Sequence, residues 1–168
     1  MAISATEERL FASAMPVEHR AAQRLGQSLL VGIACKLQLP TRPVISFGFA
    51  GALCDTLPMA AAVVISTVVD ENGHVLWRGK PLVVQNAHQV VVVSADHMVD
   101  SVEERAELRK RSGAQVVDME TSIYARLGLL VGGLRVISDT PTQRLASTRG
   151  SPRDESEAHR VLYSLKRF

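Results

Sequence analysis

Two acidic segments follow stretches of apolar, β-branched residues, and they are the part of the sequence best suited to chemistry. The stretch 115–117 leads into Asp118 and Glu120, and the stretch 134–137 leads into Asp139. In open α/β sheets, ligands bind beyond the carboxyl ends of the strands. If these two strands lie close together, Glu120 and Asp139 share one rim, where they could bind a small polar ligand.

The same acids have a plain structural alternative. Asp and Glu are common in the first turn of a helix, where they interact with free backbone N–H groups and with the helix dipole. Spacing alone favours this capping role over a ligand site. Residue spacing therefore leaves both interpretations open.

The elements that would position these acids alternate between strands and helices. Apolar, β-branched runs predict strands at 44–47, 61–69, 90–93, 115–117 and 134–137. Helical spacing or helix-terminal signals predict helices at 19–37, 102–112, 120–130 and 155–166. This alternation is typical of a single α/β domain over residues 1–168, with a largely parallel sheet covered on both faces.

Two further segments are expected at the same rim as the acids. Gly48 and Gly51 in the segment 48–52 predict a tight turn that lets the backbone approach a ligand closely. The segment 94–96 ends another predicted strand. Four strand ends would then converge on one cleft, which is the arrangement that a small-molecule site requires.

Composition fits an ordinary globular protein. The 168 residues are 46% hydrophobic and 21% charged, which is enough for one domain with a full core. Cys35 and Cys54 are not spaced as a disulfide or zinc pair, so we expect a cytoplasmic setting without metal or cofactor. No secretory signal or apolar run of membrane-spanning length is present, so we expect no membrane partner.

The C-terminal segment differs from the rest of the chain. From Pro141 onward it carries six basic residues and three acids. The net charge of the whole chain is only +2, and the six basic residues are interleaved with acids and lack aromatic platforms, so nucleic-acid binding is not expected. The stretch 148–152 predicts a loop or disorder.

Four motifs occur in an order that resembles the purine nucleoside phosphorylase/uridine phosphorylase superfamily. They are V-D-M-E at 117–120, R-V-I-S-D at 135–139, G-F-A-G-A-L at 48–53 and S-A-D-H-M-V at 94–99. Within the superfamily they look most like the methylthioadenosine/S-adenosylhomocysteine nucleosidases. The acidic pair is fairly specific, whereas the Gly-rich segment alone would be weak. The resemblance covers roughly residues 44–140 and implies a three-layer α/β/α phosphorylase/hydrolase-like fold.

The resemblance implies roles for the two acidic segments and for the Gly-rich segment. Met119 and Glu120 would hold the ribose, with the Glu120 carboxylate accepting hydrogen bonds from its hydroxyls. Asp139 would act as the general acid that protonates N7 of the leaving purine, and Ser138 would help to hold the base or the acid. Three residues of the Gly-rich segment would also contact the substrate, namely Phe49, Ala50 and Gly51.

The remaining roles concern the base and the nucleophile. Val99 would offer backbone groups to the base, and Met98 would pack against it. Segment 3–8 resembles the first strand and acidic helix start of the family, with a very short strand at 2–5. The resemblance then implies that Glu8, or the adjacent Glu7, activates water.

The sequence departs from the family at two places. The family normally has a strand hairpin and a glycine-rich segment before the strand that begins here at Val44, whereas this chain has one predicted helix there. Phe49 stands where the family usually has a small or hydroxyl residue. The first difference makes the nucleophile pocket the least complete part of the resemblance, and the second would narrow the pocket or place a ring against the ligand.

The function implied by the resemblance is hydrolysis of the N-glycosidic bond of a purine nucleoside or a 5′-thio-adenosine derivative, releasing the free base. One alternative is a phosphate-dependent phosphorylase, including a hopanoid-associated type. A second is a degenerate relative that binds a nucleoside without catalysis. The sequence has no basic, glycine-rich cluster near its N-terminus for phosphate, which favours hydrolysis. The resemblance also implies a homo-oligomer, a dimer or larger.

Overall fold

The computed structural model describes residues 9–142 and 152–166, and within them eight strands form one sheet with four helices packed against it. The strands are β1 (Leu10–Ser13), β2 (Gln27–Leu30), β3 (Val44–Ala52), β4 (Ala62–Val69), β5 (Val75–Arg78), β6 (His88–Ser94), β7 (Val116–Asp118) and β8 (Leu130–Asp139). The helices are α1 (Pro16–Ala22), α2 (Val102–Ser112), α3 (Thr121–Arg126) and α4 (Pro152–Ser164). A single 3-10 turn covers Ile33–Cys35.

The sheet is mixed and largely parallel, as predicted. Its strand order is β2-β1-β3-β7-β6-β4-β5, and β8 pairs with both β3 and β4. Five pairings are parallel, namely β1–β2, β1–β3, β3–β8, β4–β6 and β6–β7. Three are antiparallel, namely β3–β7, β4–β5 and β4–β8. Because β8 bridges β3 and β4, five strands form a closed ring at the centre of the domain.

Helices cover both faces of the sheet, which confirms the predicted three-layer arrangement. Side chains alternate between the faces along a strand, and β3 shows the result. Phe47 lies in the cluster that contains Ala22 of α1 and Leu162 of α4. Ala50 points to the opposite face, into the cluster that contains Tyr124 of α3. Of the helices in the described part of the chain, none is long and apolar enough to cross a membrane.

The helix predicted over residues 19–37 is wrong. α1 ends at Ala22, and Gln27–Leu30 forms β2, which pairs in parallel with β1. Gly26 lies between the two elements, where a Cβ would come within 3.1 Å of the Phe11 ring. The apolar spacing in this region fits a helix, but backbone hydrogen bonds to β1 outweigh it, and local periodicity carries no information about that pairing.

Several other boundaries differ from the predictions. The expected turn at 48–52 is the second half of the continuous strand β3. α3 ends at Arg126 rather than near residue 130, and β8 begins at Leu130, so the last strand is longer than predicted. β5 was not predicted; it forms a hairpin with β4. The predicted strand at 2–5 and nearly all of the predicted loop at 148–152 lie outside the described residues.

Two helices agree closely with the predictions. α2 spans the expected residues and begins at Ser101, whose hydroxyl accepts a hydrogen bond from the Glu104 backbone N–H at 3.0 Å. It ends at Gly113, which has a left-handed φ of 72° that favours glycine. α4 overlaps the predicted C-terminal helix but begins earlier, at Pro152.

Candidate active site

A cavity of about 480 Å³ lies where β3, β7 and β8 meet. Gly51 of β3 pairs with Val117 of β7 on one side and with Asp139 of β8 on the other. The sheet register therefore brings the two acid-bearing strand ends to either side of one residue. The two acidic segments share one site, as the strand-end argument predicts.

The cavity is lined by all of the predicted site residues that the structure describes: Phe49, Ala50, Gly51, Met98, Val99, Met119, Glu120, Ser138 and Asp139. Glu8, predicted to activate water, lies outside the described residues. Another acid, Glu18 of α1, lines the cavity, and it was not among the predicted site residues.

Glu18 is held rigidly against the backbone. Its side chain is buried, and one carboxylate oxygen, Oε2, accepts hydrogen bonds from the backbone N–H of Ala14 at 3.0 Å and of Met15 at 2.9 Å. The other oxygen, Oε1, accepts from the N–H of Phe49 at 2.8 Å. Burial raises the pKa of Glu18, against the opposing effects of Arg135 and the three N–H groups. A buried, basic carboxylate of this kind is suited to accept a proton.

The close approach of Glu18 to β3 depends on glycine at position 48. Gly48 has a φ of 147°, a conformation that L side chains rarely adopt. A Cβ there would lie 2.4 Å from Glu18 Oε1 and 2.5 Å from its Cδ. The Gly-rich segment therefore makes room for an acid of α1 rather than forming a turn.

A local signal for Glu18 was present in the sequence. Met15 precedes Pro16, a residue suited to the first turn of a helix, and Glu18 follows at the third helical position. Its carboxylate accepts from the N–H of the N-cap residue, as in one half of a capping box. The short apolar strand Leu10–Ser13 directly before this start marks the first element of the described chain.

Glu120 is held by a strained segment of backbone. Its Oε1 accepts a hydrogen bond from the Ala34 N–H at 2.9 Å. Ala34 and the following Cys35 both have positive φ, 51° and 55°, which costs free energy in residues other than glycine. Strain of this kind is commonly found at functional sites. Ile33, which precedes these residues, also lines the cavity.

Arg135 of β8 lies beneath the cavity and joins its carboxylates. The side chain is 1% exposed, with Nη2 at 2.9 Å from Asp118 Oδ2 and 3.5 Å from Glu120 Oε2. Nη1 donates to the Phe49 carbonyl oxygen at 3.0 Å. Burial alone would lower the pKa of Arg135, but Asp118, Glu120 and Glu18 together raise it. The guanidinium therefore stays charged.

Three buried carboxylates face this single guanidinium, so their negative charges are not fully balanced. Burial is the main reason that the pKa of Glu120 is raised, to about 7; Arg135 opposes the rise and Asp118 adds to it. Asp118 also accepts hydrogen bonds from the hydroxyls of Ser94 and Thr121. Within this cluster, Glu120 is therefore the carboxylate that gains or loses a proton near neutral pH.

This cluster predicts how the stability of the protein depends on pH. Because the folded-state pKa of Glu120 is raised above the ordinary value of 4.5, the folded protein binds more protons than the unfolded chain between pH 4.5 and about 7. We expect the free energy of unfolding to fall by about 1–3 kcal/mol as pH rises through this window. Urea denaturation at several pH values measures this change.

The matched variant is Glu120→Gln, which keeps an acceptor for the Ala34 N–H but cannot ionise. We expect a flatter profile and higher stability than wild type above about pH 7. Glu107→Gln, at an exposed position on α2, serves as the control and should retain the wild-type slope. An unchanged slope in Glu120→Gln would contradict the assignment to Glu120.

Asp139 lies at the end of β8 and uses both carboxylate oxygens. Oδ2 forms an ion pair with Nη2 of Arg105, which reaches the cavity from α2. Oδ1 accepts a hydrogen bond from the Ser138 hydroxyl at 2.8 Å. Ser138, predicted to help hold the base or the acid, thus contacts the acid directly.

The loop before α2 forms the outer wall of the cavity. Val99 is buried, whereas Met98 is 72% exposed at the cavity mouth. His97 is bonded through Nδ1 to Asp96 at 2.6 Å and through Nε2 to Glu104 at 2.5 Å. These two hydrogen bonds raise the pKa of His97 to about 9. His97 therefore carries a positive charge at the entrance at neutral pH.

The opposite wall is aromatic. Phe49 contacts His159 of α4, with ring centroids 5.0 Å apart and ring planes at 70°. α4 lies over the cavity, since Ala158 and His159 both line it. The Phe49 ring lines the cavity and packs against α4 above it.

The chain matches a known superfamily. Residues 78–163, just over half of the 168-residue chain, match the family model described as the phosphorylase superfamily, and the chain belongs to it. No curated protein sequence matches the chain significantly.

Solved structures of nucleosidases are similar to this chain. A 5′-methylthioadenosine/S-adenosylhomocysteine nucleosidase from Helicobacter pylori, an Asp-to-Asn mutant with 5′-methylthioadenosine in its active site, is 16% identical; the match covers 94% of this chain and 96% of that one, with a TM-score of 0.66. The Streptococcus pneumoniae enzyme with a transition-state inhibitor is 15% identical, with 94% and 99% covered and a TM-score of 0.65.

A third similar structure is a futalosine hydrolase mutant from Helicobacter pylori. It is 18% identical, with 72% of this chain and 65% of that one covered and a TM-score of 0.51. At these identities, the comparisons establish the fold of the chain.

Proposed function

We propose that the protein is a nucleosidase that hydrolyses the N-glycosidic bond of a purine nucleoside or a 5′-thio-adenosine derivative and releases the free base. The observation that carries this proposal is that two of the carboxylates lining the cavity, those of Glu18 and Asp139, have different partners. Glu18 accepts three backbone hydrogen bonds beside Arg135, whereas Asp139 is paired with Arg105 and Ser138. Membership of the phosphorylase superfamily and the nucleosidase fold support it.

The chemistry requires a base and an acid. Water attacks the anomeric carbon of the sugar, and Glu18 accepts one proton from that water as the new C–O bond forms. The electron pair of the C–N bond moves to the purine, which takes a proton at N7 from Asp139. Solvent then returns a proton to Asp139 and removes one from Glu18, so the net reaction consumes one water. A positioned acid or base of this kind contributes about 10²–10⁴-fold to the rate.

The sugar and the base have separate partners in the proposal. Glu120 and Met119 hold the ribose, and a carboxylate near the ring can stabilise the positive charge that develops on the sugar. Val99 and Met98 form the wall for the base. Glu120 already accepts from the Ala34 N–H, which leaves Oε2 on the Arg135 side as the further acceptor.

The charge of the cavity favours water over phosphate as the nucleophile. Glu18, Asp118 and Glu120 face the single guanidinium of Arg135, so this end of the cavity carries excess negative charge whenever the three acids are ionised. A phosphate dianion would be repelled there, whereas water is not. The aromatic pair Phe49–His159 also occupies space at the cavity wall.

The proposal includes two further expectations, namely that the protein is cytoplasmic and that it forms a homo-oligomer. The segment around the strained turn exposes three apolar side chains, Ile33, Leu37 and Leu39. Exposed apolar clusters of this kind often mark protein–protein contacts. Light scattering on the purified protein measures its oligomeric state directly.

The test is base release from methylthioadenosine, S-adenosylhomocysteine, adenosine and inosine, with and without phosphate. We expect release that needs no phosphate and that falls at least about tenfold in Asp139→Asn, because the amide cannot supply the proton. Release only with phosphate would identify a phosphorylase instead. Tight nucleoside binding without any release would identify a non-catalytic relative.

A further inference from the structure

Arg105 is a buried, charged cavity residue to which the proposed chemistry gives no role. It projects from the first half of α2, and its side chain is only 4% exposed. Nη1 donates to the carbonyl oxygen of Ala52, at the end of β3, at 2.9 Å, and Nη2 pairs with Asp139 Oδ2. A buried cation costs free energy unless it is well paired. Arg105 therefore has a specific partner in Asp139.

We propose, building on the nucleosidase function, that Arg105 is a positioning residue for Asp139. It fixes the orientation of the carboxyl group and stabilises the carboxylate that remains once Asp139 has protonated the leaving base. An arginine suits this task because its guanidinium is always charged and offers several donors in a fixed plane. The residue acts through Asp139 and does not contact the reacting atoms.

The two oxygens of Asp139 have different surroundings, and this difference supports the proposal. Oδ2 is fixed by Arg105. Oδ1 faces the Ser138 hydroxyl at 2.8 Å, and that hydroxyl has a second acceptor in the Ala50 carbonyl oxygen at 3.4 Å. When Oδ1 carries a proton, Ser138 can turn its own hydrogen toward Ala50. Oδ1 is therefore the oxygen that carries the proton, and Oδ2 is the anchor.

The backbone of β3 leaves room for the ion pair. A Cβ on Gly51 would lie 3.1 Å from Asp139 Oδ2 and 3.3 Å from Arg105 Nη1, which is tighter than most real contacts. The absence of a side chain at this position lets the pair lie directly against the strand. α2 directly follows the loop that carries Met98 and Val99. Arg105 therefore connects the part of the cavity proposed to contact the base with Asp139.

Other charged groups lie around the same cavity and belong in any account of its pH dependence. The titratable residues that line it besides Asp139 and Arg105 are Glu18, Asp100, Asp118, Glu120, His97 and His159. Glu18, Asp118 and Glu120 are grouped around Arg135. Arg105 is the cation in direct contact with Asp139. Its removal should therefore disturb the orientation of the Asp139 carboxylate more than that of the other acids.

The first experiment is a double-mutant cycle on base release. We expect Arg105→Met to lower kcat about 10–100-fold with a smaller change in KM, and Arg105→Lys, which keeps the charge, to recover part of the loss. In the Asp139→Asn background, Arg105→Met should change kcat less than about threefold, because the group it positions is absent. An equal loss in both backgrounds would overturn the proposal.

Rescue by the conservative variant separates positioning from a general structural defect. Arg105→Lys keeps a positive charge beside Asp139 Oδ2 and should recover part of kcat with little change in KM. A loss of kcat in Arg105→Lys as large as that in Arg105→Met would contradict the proposal.

A substrate-free measurement keeps this test independent of the proposed function. In urea denaturation, the loss of stability caused by Arg105→Met should be smaller in the Asp139→Asn background than in wild type, because the two side chains form an ion pair. If wild type releases no base but this coupling is found, the nucleosidase function fails and the pairing of Arg105 with Asp139 stands. If the two losses are additive, the role of Arg105 fails. Should Arg105→Met not fold, Arg105→Gln, which keeps a donor for the Ala52 carbonyl oxygen but not the charge, replaces it in both cycles.

Discussion

Replacement of Glu18 by glutamine is expected to lower the proposed base release by about 10²–10⁴-fold. The amide cannot accept a proton from the attacking water. The amide oxygen could still accept a hydrogen bond from the Phe49 N–H. The NH₂ group would face the N–H groups of Ala14 and Met15, which donate to the second carboxylate oxygen in the wild type. The expected loss is therefore mainly in kcat, measured by steady-state assay of base release.

Glu107→Gln is the matched control for Glu18→Gln. Glu107 is exposed on α2, where it pairs with Arg111 at 3.8 Å, and its replacement should leave the rate unchanged. Glu8→Gln tests the acid that the family resemblance implies. A large loss in Glu8→Gln together with wild-type activity in Glu18→Gln would return the role of base to the N-terminal segment.

The second large effect concerns stability. Arg135→Met should lower the free energy of unfolding by about 3–5 kcal/mol, because it removes the partner of a buried ion pair. The side chain is 1% exposed and lies 2.9 Å from Asp118 and 3.5 Å from Glu120, so the mutation leaves buried carboxylates without a cation. It also removes a hydrogen bond of 2.6 Å to the Ser46 hydroxyl. Urea denaturation near pH 7.5 measures the loss.

The loss in Arg135→Met should shrink at about pH 5. Without the guanidinium, the buried carboxylates bind protons more readily in the folded protein than in the unfolded chain, so stability rises as pH falls. Arg111→Met is the control, because its side chain is 47% exposed and its ion pair is at the surface. We expect it to change stability by less than about 0.5 kcal/mol at either pH. Equal losses in the two variants would contradict the role given to Arg135.

Part of the candidate site was predictable because its residues follow strands. Asp118, Glu120 and Asp139 come directly after β-branched runs, and the carboxyl ends of such strands are common ligand sites. The structure brings Glu120 and Asp139 to one cavity. What spacing could not provide was the register, in which Gly51 pairs with Val117 on one side and Asp139 on the other.

The proposed base, Glu18, was missed because its position depends on contacts between distant segments. The Glu18 carboxylate accepts a hydrogen bond from the N–H of Phe49, 31 residues away. It fits against β3 because Gly48 has no side chain. Arg135 and Arg105 likewise have partners from other elements. An isolated arginine in a sequence gives no sign that it is buried, because surface and core arginines have the same local patterns.

The sequence by itself determined the class of fold and the identity of the two acidic segments. Its β-branched runs and the helix 102–112 depend on local preferences, which act within a few residues. The tertiary structure decided that residues 27–30 form a strand rather than a helix, and that Glu18, Arg135 and Arg105 join the site. The physical reason is that backbone pairing between strands and the burial of charge are interactions across the fold. Their free energy depends on which groups meet, and no short stretch of sequence contains that information.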